Sequence, residues 1–331
     1  MPQKPSFQTV LDSLLDSKKP ISQAQLKLYS DLDPESLRLF TNAWPNIPPK
    51  RKLSLLDKLV EHFDEDTLVS YEDIGKALLS DPNGEVRVRA LRLLAECDDP
   101  KLINKALGIF LDDAESAPRL EAVKLLGQFL LLGEYEKISG DLERRIEDAM
   151  ISVLGGEGNP DLRRRSLEAL GFSSRMEIPT LIESAFERVD LAWVASALRA
   201  MGHSQDERWT ADVMDKLLDE EPLIKSAAIE AAGMLAIQEA VPLLIQTLDD
   251  EETEDDLVAA AIWSLSQIGG DEARTYLVGL ADQTEDEELS DFLDEAIENL
   301  EFMDGLNNFD LFDFDDEEDD DDELEESGED E

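Results

Sequence analysis

The hydrophobic positions of this chain recur in a cassette of 12 residues that returns six times along the sequence. Around a central small residue, mostly apolar residues stand four positions before it, one after it and four after it. This spacing places them on one face of an α-helix, whereas a strand would alternate apolar and polar residues. The copies are 85–96, 117–128, 161–172, 192–203, 223–234 and 256–267, centred on Ala90, Ala122, Ser166, Ala197, Ala228 and Ala261. We predict a helix at each copy, and a degenerate seventh helix at 288–299.

Another amphipathic segment lies between consecutive copies, so the repeating unit is predicted to be a hairpin of about 31 residues. We call this segment the first helix of each hairpin and the cassette its second helix. First helices are predicted at 101–113, 177–190, 206–221, 239–252 and 271–284. Neither helix can bury its apolar face alone, so the hairpins must stack on one another into a solenoid.

Two further positions recur within the cassette. A glycine five positions after the small residue is typical of a helix C-terminus in the left-handed conformation. It occurs as Gly127, Gly171, Gly202 and Gly233. A base three positions before the small residue predicts a ladder of ion pairs with the acidic turns of the neighbouring repeat. It occurs as Arg87, Arg119, Arg163 and Lys225. Arg164 and Arg165 are predicted to form a solvated face and not a phosphate contact.

The cassette resembles the HEAT-repeat family, in particular the short HEAT-like repeats of the phycobilisome lyases. The resemblance rests on strings such as EVRVRALRLLAE (85–96) and DLRRRSLEALGF (161–172), and on their spacing. It implies an all-α fold, a right-handed alpha-alpha superhelix of the HEAT-like solenoid type, predicted here over 51–300. Protein recognition is the common function that the resemblance implies.

The two ends of the chain depart from the repeat. Residues 1–50 are predicted to form a helical cap, in which Ser22 and Asp33 would be the N-caps of two helices. One interval is 44 residues long, and its added length within 129–160 would extend the helices or form a loop. Residues 301–331 are predicted to be a largely disordered acidic tail, because 16 of the 22 residues from Asp310 onward are acidic.

The net charge of the chain limits the classes of partner that it is expected to bind. The formal net charge is −49, and no Lys or Arg follows Arg274. Such a field repels nucleic acid and anionic membranes, and it favours a basic protein partner or simple solubility. The one cysteine, Cys97, fits a reducing compartment, and no apolar run resembles a signal or membrane segment. We therefore expect a cytoplasmic protein, with no expectation about its oligomeric state.

The residues offer little for catalysis, and we predict no catalytic, cofactor-binding or metal site. The two histidines, His62 and His203, are predicted to be ordinary surface or helix-end residues. The aspartates beside Cys97 would raise the pKa of its thiol, so we expect an inert cysteine. The iron-dependent hydroxylases built on this repeat use His-Glu dipeptides, and the sequence contains none.

Two sets of residues are candidates for protein binding. The position two after each small residue should point away from the core and form a strip along the second helices. That strip reads Arg92, Lys124, Glu168, Arg199, Glu230 and Trp263. The alternative for Trp263 is packing against the next repeat. Apolar residues interleaved with carboxylates form a candidate docking segment near the C-terminus, whose alternative is a capping and solubilising role. Its members are Phe302, Phe309, Leu311, Phe312 and Phe314.

The predicted function is a non-catalytic scaffold that binds a protein partner along its concave face and through its acidic tail. A bilin lyase or isomerase of the phycobilisome type, or its accessory subunit, is the alternative that the resemblance leaves open. The tail also suggests a regulatory hypothesis, in which it folds back onto Arg92 and Lys124 until a basic partner competes for it.

Overall fold

The computed structural model describes residues 7–16, 19–250 and 252–310. Within these ranges the chain forms eighteen α-helices and five short 3₁₀ turns, and it contains no strand. The predicted all-α fold class is therefore confirmed. Of the largely disordered tail predicted at 301–331, residues 301–310 instead continue helix α18, because the helix does not end with the last repeat. Residues 311–331 of the predicted tail lie outside the described residues.

The helices follow one another with short connections. In chain order they are α1 (Phe7–Leu15), α2 (Gln23–Leu26), α3 (Pro34–Ala43), α4 (Pro49–Glu65), α5 (Glu72–Leu78), α6 (Gly84–Arg92), α7 (Ile103–Asp112), α8 (Ser116–Glu134), α9 (Gly140–Gly155), α10 (Pro160–Leu170), α11 (Ile178–Phe186), α12 (Leu191–Ser204), α13 (Thr210–Lys216), α14 (Pro222–Met234), α15 (Val241–Asp249), α16 (Asp255–Ile268), α17 (Asp271–Gln283) and α18 (Glu287–Asp310). Each cassette coincides with one of the even-numbered helices from α6 to α18. The chain divides into two compact units, Met1–Ala231 and Ala232–Glu331. The predicted domain boundaries near residues 50 and 300 stay predictions.

The first unit begins with short helices ahead of the repeats. Helix α1, which the hydrophobic pattern did not predict, packs against α3. Asp33 caps α3 as predicted, accepting hydrogen bonds from the backbone N–H groups of Glu35 and Ser36. Ser22 is the N-cap residue of α2 as predicted, but its side chain makes no capping hydrogen bond. The Trp44 indole donates a buried 2.7 Å hydrogen bond to Asp81, which joins this region to the turn after α5.

The first unit continues as stacked helical hairpins. Helices α5 and α6, α7 and α8, α9 and α10, and α11 and α12 pair with each other, and the second helices α6, α8, α10 and α12 pack in succession. The long repeat is resolved as longer helices and not as a long loop, because α8 has 19 residues and α9 has 16. Only a short turn, in which Glu136 has a φ of 57°, separates them.

The recurrent glycines have a different role from the one predicted. Gly127, Gly202 and Gly233 lie inside helices, and Gly171 follows α10 with an ordinary helical φ of −53°. The predicted left-handed helix ends are therefore wrong at these positions. The glycines permit close approach: a Cβ added to Gly171 would lie 2.4 Å from the carbonyl oxygen of Ala200 on α12.

Of the recurrent bases, Arg87 forms the predicted ion pairs with the neighbouring repeat, whereas Arg119 and Arg163 bind backbone carbonyls. The Arg87 guanidinium binds Asp113 at 2.6 Å and Glu115 at 3.2 Å, both one repeat away, as predicted. Arg119 and Arg163 instead donate to the carbonyl oxygens of Phe110 and Leu154, at 2.8 and 2.9 Å. Those carbonyls lie at the C-terminal ends of the preceding first helices, where unpaired backbone acceptors remain. The ladder prediction is wrong at these two positions, where the arginine caps its own hairpin.

The second unit contains the end of α14 and the helices α15 to α18. Helix α15 pairs with α16, α17 pairs with α18, and α16 packs against α18. Gly269 and Gly270 turn the chain between α16 and α17 with φ values of 71° and 91°, a region that favours glycine. Helix α18 extends over 24 residues, well past the seventh cassette.

Candidate protein-interaction surface

The second helices of the first unit line a continuous groove, which we call the second-helix groove. It consists of two adjoining cavities of about 400 Å³ and 490 Å³ that share Glu121 and Lys124 on α8. One cavity extends over α10 and α12 and the other towards α4 and α6. Of the predicted strip, Arg92, Lys124, Glu168 and Arg199 line it. The structure therefore brings these four side chains along one surface of the first unit.

Two bases that line the groove are open to solvent. The side chains of Lys124 and Arg92 are 66% and 49% exposed. Both approach Glu121, at 3.3 and 3.5 Å respectively, and this carboxylate is only 12% exposed. Ion pairs with such exposed partners are weak, so both cations can exchange Glu121 for a group on another molecule.

Glu168 does not point into solvent, which corrects the prediction for this member of the strip. It is 7% exposed, and its carboxylate accepts 2.6 Å hydrogen bonds from Ser196 on α12 and from Arg165. A buried carboxylate needs such donors, because burial without them would be costly. Glu168 therefore joins α10 to α12, and its backbone does so too, since its carbonyl accepts a 2.7 Å bond from His203 Nδ1.

Arg199 and Glu230 form a bidentate pair between α12 and α14, within the first unit. The distances from the guanidinium to the two carboxylate oxygens are 2.7 and 3.3 Å, and Ser226 also donates to Glu230. Burial lowers the pKa of Arg199, but the bonds with Glu230 outweigh it, so the pKa lies above its ordinary value. Arg199 and Glu230 therefore neutralise each other, and the exposed charges of the strip are those of Arg92 and Lys124.

Trp263 belongs to the second unit and is half-buried. Its ring stacks on Phe292 of α18, with the centroids 6.3 Å apart and the planes at 25°. The alternative of packing against the next repeat is therefore what the structure shows.

The candidate docking segment is only partly described. Phe302 lies on α18 and is 64% exposed, which makes it an available apolar side chain. Phe309 falls in the last turn of α18, and Leu311, Phe312 and Phe314 lie outside the described residues. The role of this segment stays a prediction.

The groove is also lined by residues that the predicted strip did not include. Arg164 and Arg165 line it beside Lys124, although both were predicted to be a plain solvated face. Arg164 pairs with Asp161 and Arg165 with Glu168. The signal was present in the cassette, because Arg165 and Glu168 are three residues apart and so share one side of the helix.

The two histidines are less exposed than predicted. His62 lies in the last turn of α4, as predicted for a helix-end residue, but it is 6% exposed and its Nδ1 lies 3.0 Å from the Tyr71 hydroxyl. His203 does lie in the last turn of α12, stacked on Phe172 with the ring centroids 4.1 Å apart. Burial lowers the pKa of His203. Both side chains have a packing role.

Cys97 is 1% exposed and donates a 3.1 Å hydrogen bond to Glu72. Burial, and then the bond to the Glu72 carboxylate, raise the pKa of the thiol. In the ranges that the structure describes, no three His, Cys, Asp or Glu side chains are placed to hold a metal ion. Among the same residues, no helix is both long and apolar enough to cross a bilayer.

The sequence model for HEAT repeats matches residues 210–297 of the chain. This segment belongs to the HEAT-repeat family. The matched HEAT segment covers α13 to α17 and part of α18, in both units. Its helical hairpins are compatible with an interaction role. No curated protein shows significant similarity to the chain.

Solved helical-repeat structures are similar to the chain at low identity. The complex of CpcE and CpcF of phycocyanin lyase from Nostoc sp. PCC7120 is 14% identical, covers 69% of this chain and 94% of that one, and gives a TM-score of 0.46. Importin beta is 11% identical over 89% of this chain and 46% of its own, with a TM-score of 0.42. Human deoxyhypusine hydroxylase is 18% identical over 79% and 95%, with a TM-score of 0.33. At TM-scores below 0.5, these similarities carry no functional inference.

Proposed function

We propose that this HEAT-repeat chain is a non-catalytic scaffold that binds a protein partner through the second-helix groove and its acidic C-terminal region. The observation that carries the proposal is the groove itself, which runs over several second helices and presents the exposed bases Lys124 and Arg92. A surface made by consecutive repeats suits an extended segment of another protein, because each repeat adds contacts in register.

The distribution of charge supports a basic partner. Residues 232–331 contain 37 acidic side chains and a single base, Arg274. A field of this kind steers a basic protein into contact and accelerates association in a salt-dependent way. In the second-helix groove, Lys124 and Arg92 would donate hydrogen bonds to carboxylates or carbonyl oxygens of the same partner, which would fix its orientation.

The test is a quantitative pull-down from a lysate of the source cells with the full chain as bait. The variant Lys124→Glu reverses the charge of a groove residue whose side chain is 66% exposed. The matched control is Lys105→Glu, an exposed lysine on the first helix α7. We expect Lys124→Glu to lose proteins that wild type and Lys105→Glu retain. Equal recovery by all three baits would contradict the assignment of the groove as the contact surface.

The proposed function also assigns the acidic tail a part in binding the partner. Deletion of 310–331 should reduce the salt dependence of partner capture, because steering by charge falls with the number of charges. If the tail covers Arg92 and Lys124, deletion should also expose the groove to proteases. An unchanged salt dependence together with unchanged protection would refute the regulatory hypothesis.

The bilin-lyase alternative makes a separate prediction. A bilin added to the purified chain would shift its absorbance spectrum on binding, and the chain would attach or isomerise the bilin on an acceptor protein. The scaffold proposal expects no change of the bilin spectrum and no covalent product. This measurement separates the two functions without knowledge of the partner.

A further inference from the structure

A separate groove lies in the second unit, between the first helices α15 and α17. It encloses about 900 Å³. Ile245 and Leu248 of α15 and Leu280 of α17 form its apolar floor, and all three are half-buried. These side chains are accessible to another molecule, in contrast to the buried Leu244 and Leu277 on the same helices.

Carboxylates surround this floor. Asp249 ends α15, and Asp271 and Glu272 begin α17; all three are exposed and line the groove. The Tyr276 hydroxyl donates a 2.8 Å hydrogen bond to Asp249 and so joins the two walls. Burial, together with that carboxylate, raises the pKa of Tyr276 to about 12, which keeps the hydroxyl protonated as a donor. No Lys, Arg or His is among the described residues that line the groove.

We propose that the α15/α17 groove binds a basic amphipathic segment of a partner protein, with apolar side chains on the floor and Lys or Arg at the rim. Charge complementarity selects this occupant, because an apolar surface ringed by carboxylates attracts cations and repels anions. The inference extends the proposed scaffold function to a surface on the first helices, which can be tested separately from the second-helix groove.

Two other candidate occupants, the C-terminal segment of the same chain and a second copy of the chain, are less compatible with the carboxylates at the rim. The segment 311–331 of the same chain carries Leu311, Phe312 and Phe314, but it also contains 15 acidic residues and no base. Its charge has the same sign as the rim, so docking would bring like charges together. A second copy of the chain carries a net charge of −49, which opposes self-association in the same way.

The dimensions set the size of the segment. Helix α17 has 13 residues, and at a rise of ~1.5 Å per residue it spans roughly 20 Å. A ligand helix of about four turns matches this length and would place apolar side chains at helical spacing along the floor. A helical peptide of about 14 residues is therefore an adequate probe.

The experiment measures binding of two labelled peptides to the full chain by fluorescence anisotropy. The first has lysines on one helix face and leucines on the other, and the second replaces every leucine by serine. Both have the same charge, so non-specific attraction to the acidic tail contributes to both. We expect the leucine peptide to bind at least about tenfold more tightly, because only it can cover the apolar floor.

A glycine on α17 allows the groove to be blocked without disturbing the fold. A Cβ added to Gly279 meets no atom within 4 Å, so Gly279→Arg projects a long cationic side chain into the groove. The matched control is Gly108→Arg, since Gly108 on the first helix α7 is equally open. We expect Gly279→Arg to weaken the leucine peptide about tenfold and Gly108→Arg to leave it unchanged. Circular dichroism and thermal melting of both variants check that they remain folded.

Four outcomes would overturn the proposal. Equal binding of the two peptides would assign the interaction to charge alone. Equal affinity of the Gly279→Arg and Gly108→Arg variants would place the binding elsewhere. If deletion of 311–331 tightened peptide binding to wild type but not to Gly279→Arg, the tail would be the occupant. If the chain formed dimers that Gly279→Arg dissociated in analytical ultracentrifugation, the occupant would be a second copy. None of these results depends on the Lys124→Glu pull-down.

Discussion

Adding one methyl group to Gly171 tests how tightly neighbouring repeats are packed. In the Gly171→Ala variant the new Cβ would lie 2.4 Å from the carbonyl oxygen of Ala200 and 2.9 Å from its Cα. Both atoms belong to the backbone of α12, so no side-chain rotation can relieve the overlap. Overpacking of this kind typically costs about 1–3 kcal/mol, and a rigid backbone neighbour favours the upper part of that range.

The local preference of the helix opposes this cost. Because Gly171 has an ordinary helical φ, alanine gains up to about 1 kcal/mol in helix propensity. We therefore expect a net destabilisation of about 1–2 kcal/mol, measured as a lower midpoint of urea unfolding. The control is Gly108→Ala on α7, where the added Cβ meets nothing within 4 Å and stability should rise by roughly 0.5–1 kcal/mol.

The stabilities of Gly171→Ala and Gly108→Ala show whether α10 and α12 are closely packed at Gly171. Unfolding should be followed by circular dichroism with the denaturant slope compared between variants, since a chain of two units need not unfold in one step. If Gly171→Ala proved as stable as Gly108→Ala, the helices α10 and α12 would have room to separate. The close-approach role assigned to the recurrent glycines would then be wrong.

Two further predictions concern buried groups in the first unit. Burial lowers the pKa of His203 below its ordinary 6.5, so the folded state binds its proton more weakly than the unfolded state. Its contribution to stability is present above about pH 6.5 and is lost as the pH falls below that value through the lower pKa of the folded state. The variant His203→Gln should flatten this part of a plot of unfolding midpoint against pH. An unchanged slope in the variant would contradict it. Cys97, buried with a raised thiol pKa, should react with a maleimide only at the rate at which the chain opens, and rapidly in urea. Rapid labelling of the native chain would show that the thiol is accessible.

Under the proposed scaffold function, the contrast between the two grooves would let the chain distinguish partners. The second-helix groove offers exposed bases, whereas the α15/α17 groove offers carboxylates around an apolar floor. A partner with both an acidic and a basic amphipathic segment would satisfy each surface in turn. Specificity then depends on the match of charge sign at each groove as much as on the area covered.

The hydrophobic pattern determined the elements and their order. Every cassette, from 85–96 to 288–299, coincides with a helix, and the intervening segments supply the first helices. Helix periodicity is local, so apolar spacing within a dozen residues suffices to reveal it. The distribution of charge also follows directly from the sequence. It favours a basic partner, and that partner stays a proposal.

Contacts between repeats were decided only by the tertiary structure. A glycine at a cassette end is compatible with a left-handed turn or with a close neighbour, and only the position of Ala200 shows which applies to Gly171. The same holds for Glu168, whose burial depends on donors supplied by Ser196 and Arg165. The α15/α17 groove arises between two hairpins, so neither sequence segment contains it alone. The spacing of apolar residues within a dozen positions is enough to determine a helix. The burial of a side chain, its hydrogen-bond partner and the cavities between helices depend instead on residues about 30 positions away in the sequence. The cassette does not encode how close those residues come in space.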